Sequence, residues 1–353
     1  MKILGIETSC DETAAAVVED GYKLLSNVVA SSATLHAAYG GVVPEIAARS
    51  HLEVITPVIE EALRVAKTTW EEVDAIAVTQ GPGLVGSLLI GVLTARTLAI
   101  ANHKPLFPVN HVQAHVFAVF LTETPLPGYK LPTKPPQFPL LALIVSGGHT
   151  QLALFKNLLD YKLLGQTSDD AVGEAYDKVA KMLGLPYPGG PSIDKAAGKG
   201  NAQAIKLPIA KVDNTYGFSF SGLKTAVLRA AQGASGHDYT FPSTKLPAAL
   251  TEPQKADIAA SFQHTAAQTL VSKLEAAARQ YKPKSIVIAG GVAANQELRK
   301  QASKAFSAPV IYPDIKLCSD NAAMIATLGY YLAINGQKPA DPYSLEVKSS
   351  LSM

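Results

Sequence analysis

One succession of apolar runs, turns and helical periods occurs twice along this chain of 353 residues. That repetition limits the fold more than any other feature. In the first half, an apolar run at 2–8 meets a polar turn at 9–13, and further runs follow at 14–18 and 22–29. Helical spacing then extends over 44–66, with apolar positions at Ile46, Ala47, Leu52, Ile55, Val58, Ile59 and Leu63. Pro57 predicts a kink or a break there. A strand at 74–79, a glycine turn at 81–86, a helix at 84–101, a strand at 106–109 and a helix bearing His111 and His115 complete the half. The second half repeats the order. Strands fall at 140–145, 151–155 and 161–166, and helices at 174–183 and 254–280. A strand at 285–289, a helix at 294–306, a strand at 309–312 and a last helix to residue 332 follow.

Architecture is duplicated here, not sequence. The pattern predicts two α/β lobes with a cleft between them, divided as 1–135 and 136–353, the last helix being free to pack back on the first lobe. Two stretches interrupt it. Residues 122–139 hold six prolines and read as a linker or surface loop, and 232–253 read as an inserted surface loop. Composition excludes several classes. With 48% hydrophobic and 17% charged residues the chain is not intrinsically disordered. A net charge of +2 rules out a bulk polycation, so nucleic acid would have to meet a local patch. Two cysteines, Cys10 and Cys318, form neither a disulfide framework nor a metal knuckle, which fits a reduced, cytoplasmic setting. Glu7, Asp11 and Glu12 interrupt any signal-peptide core. The longest apolar stretch, 84–101, contains Arg96 and several small polar residues, and predicts a buried helix rather than a membrane span.

Several motifs could carry chemistry. Gly81, Gly83 and Gly86 match GxGxxG, yet no acid lies between 75 and 122 to hold a ribose. A packing turn or a turn facing the cleft is expected instead. Ser146-Gly147-Gly148-His149 between two strands would let backbone N–H groups approach a phosphate. A hairpin turn is the plainer reading. The matching turn of the first half carries Asp11 and Glu12, the candidate catalytic carboxylates. Paired turns of this kind clamp nucleotide phosphates in the actin/Hsp70/sugar-kinase superfamily. The turn 290–295 would hold an adenosine end, with Asp177 and the turn 188–191 at its edge. His111 and His115 lie one helical turn apart and suit a divalent metal. Asp320 is a candidate third ligand or an ordinary helix N-cap. As a residue that follows the last strand of its half, like His111, it is expected to face the histidines across the cleft. Val112 stands where a zinc protease carries its general base.

Ten ordered runs then name a family. They are GIETSCDET (5–13), GGVVPEIAARSH (40–51), QGPGLVGS (80–87), NHVQAH (110–115), VSGGHT (145–150), GEAYDK (173–178), YPGGP (187–191), FSFSGLK (218–224), GGVAAN (290–295) and SDN (319–321). The chain resembles the TsaD family of bacterial tRNA N6-adenosine threonylcarbamoyltransferases, formerly called O-sialoglycoprotein endopeptidases. The resemblance implies a two-lobed actin/Hsp70-like fold. It implies transfer of a threonylcarbamoyl group from threonylcarbamoyl-AMP to N6 of adenosine 37, in tRNAs reading codons that begin with A, with release of AMP. It casts His111, His115 and Asp320 as ligands of iron, with zinc or magnesium as alternatives. It casts Val145, Ser146, Gly147, Gly148 and His149 as the phosphate turn, and Asp177, Gly190, Asp194 and Asn295 as further contacts to the adenylate, be it threonylcarbamoyl-AMP, ATP or AMP. TsaB and TsaE are the implied protein partners, tRNA the substrate, and the cytoplasm the location. A nucleotide-dependent scaffold of the same superfamily is the alternative, and a metalloprotease a third. Arg49, Lys195, Lys199 and Lys224, each in or beside a motif, are the expected tRNA patch.

Overall fold

Five strands in one repeated order organise each half of the chain. In the computed structural model, which describes residues 1–353, β1 (Lys2–Glu7), β2 (Glu12–Glu19) and β3 (Lys23–Ser31) form an antiparallel meander. α1 (Ala33–Ala37) and α2 (Pro44–Ala66) lead to β4 (Ala75–Gly81), which returns parallel to β1. α3 (Val85–Ala101) leads to β5 (Leu106–Asn110), parallel to β4, and α4 (His111–Phe117) follows at once. The sheet order is β3-β2-β1-β4-β5.

In the second half β6 (Leu140–Val145), β7 (Thr150–Phe155) and β8 (Tyr161–Gln166) repeat the meander. Five helices follow: α5 (Val172–Leu183), α6 (Gly189–Ala197), α7 (Ser221–Ala234), α8 (Leu246–Ala249) and α9 (Glu252–Tyr281). β9 (Ser285–Ala289) is parallel to β6, and α10 (Gln296–Ala305) and the short β10 (Val310–Ile311) come after it. Read as β8-β7-β6-β9-β10, this sheet has the strand order of the first. α11 (Ala322–Ile334) is the last helix.

β1 is apolar from Ile3 to Ile6 because both faces are covered. Leu4 and Ile6 join a core with Ile55, Ile59 and Leu63 of α2 and Val92 and Ala95 of α3. On the other face Gly5 and Gly329 remove the side chains that would separate α11 from the sheet. A Cβ on Gly5 would strike the backbone of Ala322, and one on Gly329 would strike Ala77. α11 therefore lies directly on β1, β2 and β4. Its segment thereby belongs with the first sheet. Met1–Gln137 and Ile311–Met353 form one compact unit, and Phe138–Val310 the other. Asp320 is consequently in the same unit as His111 and His115, and the expectation that it faces them across a cleft is corrected.

Other expectations change for local reasons. α2 runs through Pro57 without interruption. Pro57 is exposed, so water can take up the Glu53 carbonyl that it leaves without an N–H. Two glycines and Pro191 open α6 rather than a loop, a start that helix N-termini tolerate. The stretch 232–253 holds the end of α7, all of α8 and the start of α9. Residues 122–139 are tied down, Leu24 N–H donating to the Glu123 carbonyl at 2.8 Å and the Thr124 hydroxyl to the Leu24 carbonyl at 2.8 Å. The GxGxxG turn is a packing turn. Gly81 abuts the backbone of Lys348 and Gly83 that of Ser9. No helix is long and apolar enough to cross a membrane.

Candidate functional site

α4 begins directly at the end of β5, with Asn110 as its N-cap accepting from Gln113 N–H at 3.0 Å. Helical spacing then puts His111 and His115 side by side, their ring centroids 4.8 Å apart and their planes at 75°. Both rings are buried, at 4% and 1% exposure. Asp320 precedes α11, and Asn321 takes the capping role by accepting from Met324 N–H at 3.1 Å. The Asp320 carboxylate is thus not spent on a helix end. Its Oδ1 lies 3.5 Å from His111 Nε2 and 3.5 Å from His115 Nε2, and the three ligand atoms lie within 4.8 Å of one another. Two ligand atoms each about 2.1 Å from a tetrahedral ion stand about 3.4 Å apart. The donor set, two imidazoles and a carboxylate, also suits a divalent transition metal. The residues fit the ion.

Behind His111 lies Glu7, at the end of β1 and with no solvent exposure. It accepts from His111 Nδ1 at 2.9 Å, from the Thr79 hydroxyl at 2.6 Å and from Ser9 N–H. Burial alone would lower the basicity of His111. The facing charges of Glu7 and Asp320 outweigh it and hold its pKa well above the ordinary histidine value. Burial pushes the Glu7 carboxyl up, but the charge and hydrogen bond of His111 pull it below its usual range. Neither Glu7 nor Thr79 was named as a site residue by the sequence. The signal was a lone carboxylate ending an otherwise apolar buried strand.

Asp11 and Glu12 lie in the same unit. Asp11 is 9% exposed. Burial first, then the charges of Asp320 and Asp11, push the Glu12 carboxyl up to about 10. His51 fixes this turn. Its Nε2 donates to the Cys10 carbonyl at 2.9 Å, which leaves Nδ1 to accept from the Thr13 hydroxyl at 2.7 Å.

The second unit gathers the remaining candidates. Ser146 N–H donates to the His149 carbonyl at 2.9 Å, and His149 N–H to the Ser146 hydroxyl at 3.2 Å, closing the turn after Val145. Gly290 backs onto Val145 with a φ of +94°. Asp177 Oδ1 accepts from Gly189 N–H at 2.6 Å and anchors the start of α6, next to Gly190. Asn295 caps α10 through Oδ1 at 3.0 Å, while its Nδ2 lies 3.0 Å from Gln263 Oε1 and 3.5 Å from Asp194 Oδ1. Gln263 is a neighbour that the sequence reading did not name. Gly147, Gly148, Gly190 and Gly291 share a different property. None has a positive φ, and a Cβ on any of them would meet nothing within 4 Å. Nothing inside the protein requires a glycine there, and the same holds of Gly41, Gly222 and Gly233.

Of the four basic candidates, Lys224 is engaged: its Nζ lies 2.6 Å from Asp170 Oδ2, and Lys178 takes the other oxygen at 2.7 Å. Arg49 shares a hollow on α2 with Glu45 and Glu53. Lys195 and Lys199, at the end of α6 and just past it, are exposed.

Residues 23–327 match the family described as tRNA N6-adenosine threonylcarbamoyltransferase. Proteins of that name are similar over nearly the whole chain. The one from Thermomicrobium roseum is 51% identical over 346 residues, covering 95% of this chain and 93% of its own length. The one from Bacillus subtilis is 49% identical over 334 residues, covering 93% and 90%. Among solved structures, component A of the Acidaminococcus fermentans (R)-2-hydroxyglutaryl-CoA dehydratase superposes with a TM-score of 0.51 at 15% identity, over 95% of this chain and 99% of that one. HypF of T. kodakarensis superposes with a TM-score of 0.58 at 17% identity, over 94% of this chain and 48% of its own. These two bear on the fold alone, a duplicated α/β fold of the actin/Hsp70 kind.

Proposed function

The chain belongs to the tRNA N6-adenosine threonylcarbamoyltransferase family, transferases that modify tRNA, and from that premise we propose its full reaction. The threonylcarbamoyl group passes from threonylcarbamoyl-AMP to N6 of adenosine 37, in tRNAs reading codons that begin with A, and AMP leaves. The observation that carries this reading is the convergence of His111, His115 and Asp320 on one point. The N6 amine is a weak nucleophile because its lone pair is delocalised into the purine. A divalent ion held by these three residues, iron before zinc or magnesium, supplies polarisation of an acyl oxygen when bound.

The chain's own groups do the rest. The N–H groups of Gly147 and Gly148 receive the phosphate of the adenylate, and the bare backbone there lets it come close. Asp177, Gly190, Asp194 and Asn295 bound the adenosine. The amine sheds a proton on acylation. Asp11 and Glu12, where the turn after β1 leads into β2, are the carboxylates proposed to take that proton. AMP leaves as a stabilised anion on the same N–H groups. TsaB and TsaE are the proposed partners and the cytoplasm the proposed location. Peptidase chemistry has no support in the helix, where Val112, buried at 1% exposure, occupies the base position of a zinc protease.

The test incubates the protein, with those partners, with threonylcarbamoyl-AMP and tRNA, and reads digested nucleosides by mass spectrometry. Threonylcarbamoylated adenosine at position 37 with equimolar AMP is expected. Modification at another nucleoside, or none, refutes the reaction as written.

A further inference from the structure

Glu7 is a fully buried carboxylate, and among its contacts only His111 can carry a compensating positive charge. A carboxylate so placed is costly unless it has a defined task. Its geometry supplies one. Imidazole in its neutral form has one N–H and one lone pair, and the group facing one nitrogen decides which is which. At His111 a carboxylate, which can only accept, faces Nδ1 at 2.9 Å, with the Ser9 hydroxyl at 3.2 Å on the same side. The lone pair is thereby placed on Nε2, the atom that lies 3.5 Å from Asp320 Oδ1. Thr79 in β4 and the Ser9 N–H fix the carboxylate in turn, so its own orientation is set by the sheet.

We propose that Glu7 is the positioning residue of the metal centre: it holds His111 as the Nδ1–H tautomer, aims Nε2 at the ion, and raises the ring's strength as a ligand. This rests on the reading of His111, His115 and Asp320 as ligands of a divalent ion.

Two measurements test this on the full chain. In the first, zinc(II) and cobalt(II) dissociation constants are read by competition with a chromophoric chelator, for wild type, Glu7→Gln and Asp320→Ala. Glu7→Gln keeps the shape of the side chain but removes its charge, and about 10- to 100-fold weaker binding is expected, with altered cobalt d–d bands. Wild-type affinity and spectrum in Glu7→Gln would overturn the role of Glu7 while leaving the ligand set intact. Equal binding by Asp320→Ala and wild type would overturn the ligand set, and the proposal with it. The second measurement needs no variant and so survives a Glu7→Gln that does not fold. Ring-nitrogen NMR of the zinc-loaded wild type should show His111 protonated at Nδ1 and metallated at Nε2. Metallation at Nδ1 would refute the assignment.

Discussion

Glycine has different causes at different positions, and single residues can be sorted by them. Gly290 needs its φ of +94° and its contact with Val145, so a side chain there is strained in the protein itself. Gly148 has neither reason. A Gly148→Val protein should therefore unfold within about 0.5 kcal/mol of wild type and yet lose AMP affinity, because the branched side chain fills the surface kept bare beside the turn 146–149. Calorimetry with AMP and a urea melt measure the two quantities separately. Unchanged AMP affinity would mean that the turn does not hold the nucleotide. Asp320 teaches the same lesson by another route. It sits where an N-cap belongs, but Asn321 has the capping bond, and the Asp320 carboxylate lies 3.5 Å from both histidine Nε2 atoms instead.

Among the elements, the tail after α11 reaches from α3 to the cap of the histidine helix. Arg96 of α3 donates to the carbonyls of Pro342 and Tyr343 at 2.5 Å each and of Leu345 at 3.3 Å. Leu345 enters the core shared by β1, α2 and α3. Lys348 N–H donates to the Gln80 carbonyl at 2.9 Å, and Asn110 Nδ2 to the Ser352 carbonyl at 3.2 Å. The tail thus binds the glycine turn after β4 and the residue that caps α4. Arg96→Met leaves three carbonyls without a charged donor. It should cost about 2 kcal/mol in unfolding free energy and speed proteolysis within residues 342–353. An unaltered urea midpoint together with unaltered cleavage would show that the guanidinium does not hold the tail.

Over the whole molecule, a net charge of +2 gives little non-specific attraction to tRNA, so binding depends on a few unshielded cations. Lys224 is tied to Asp170, which leaves Lys195 and Lys199 as the better phosphate contacts. Reversing both to Glu should weaken tRNA binding and reduce the log–log salt slope by about 1.4 to 1.8, without changing AMP affinity. Titrations across salt concentrations check this, and an unchanged slope would put the tRNA surface elsewhere. Much of the molecule was legible beforehand for a local reason. Strand and helix periods are set by backbone geometry, so the duplicated order of elements and the shared face of His111 and His115 could be read from spacing alone. Distant pairings could not. Glu7 and His111 are 104 residues apart, and nothing in either segment names the other. Asp320 was visible as a candidate, and its helix was free to pack on the first lobe, but spacing could not decide between that and a place across a cleft, because the choice depends on α11 lying flat on β1. Two residues without side chains, Gly5 and Gly329, permit that approach, and only the packed sheet shows what their absent side chains make room for.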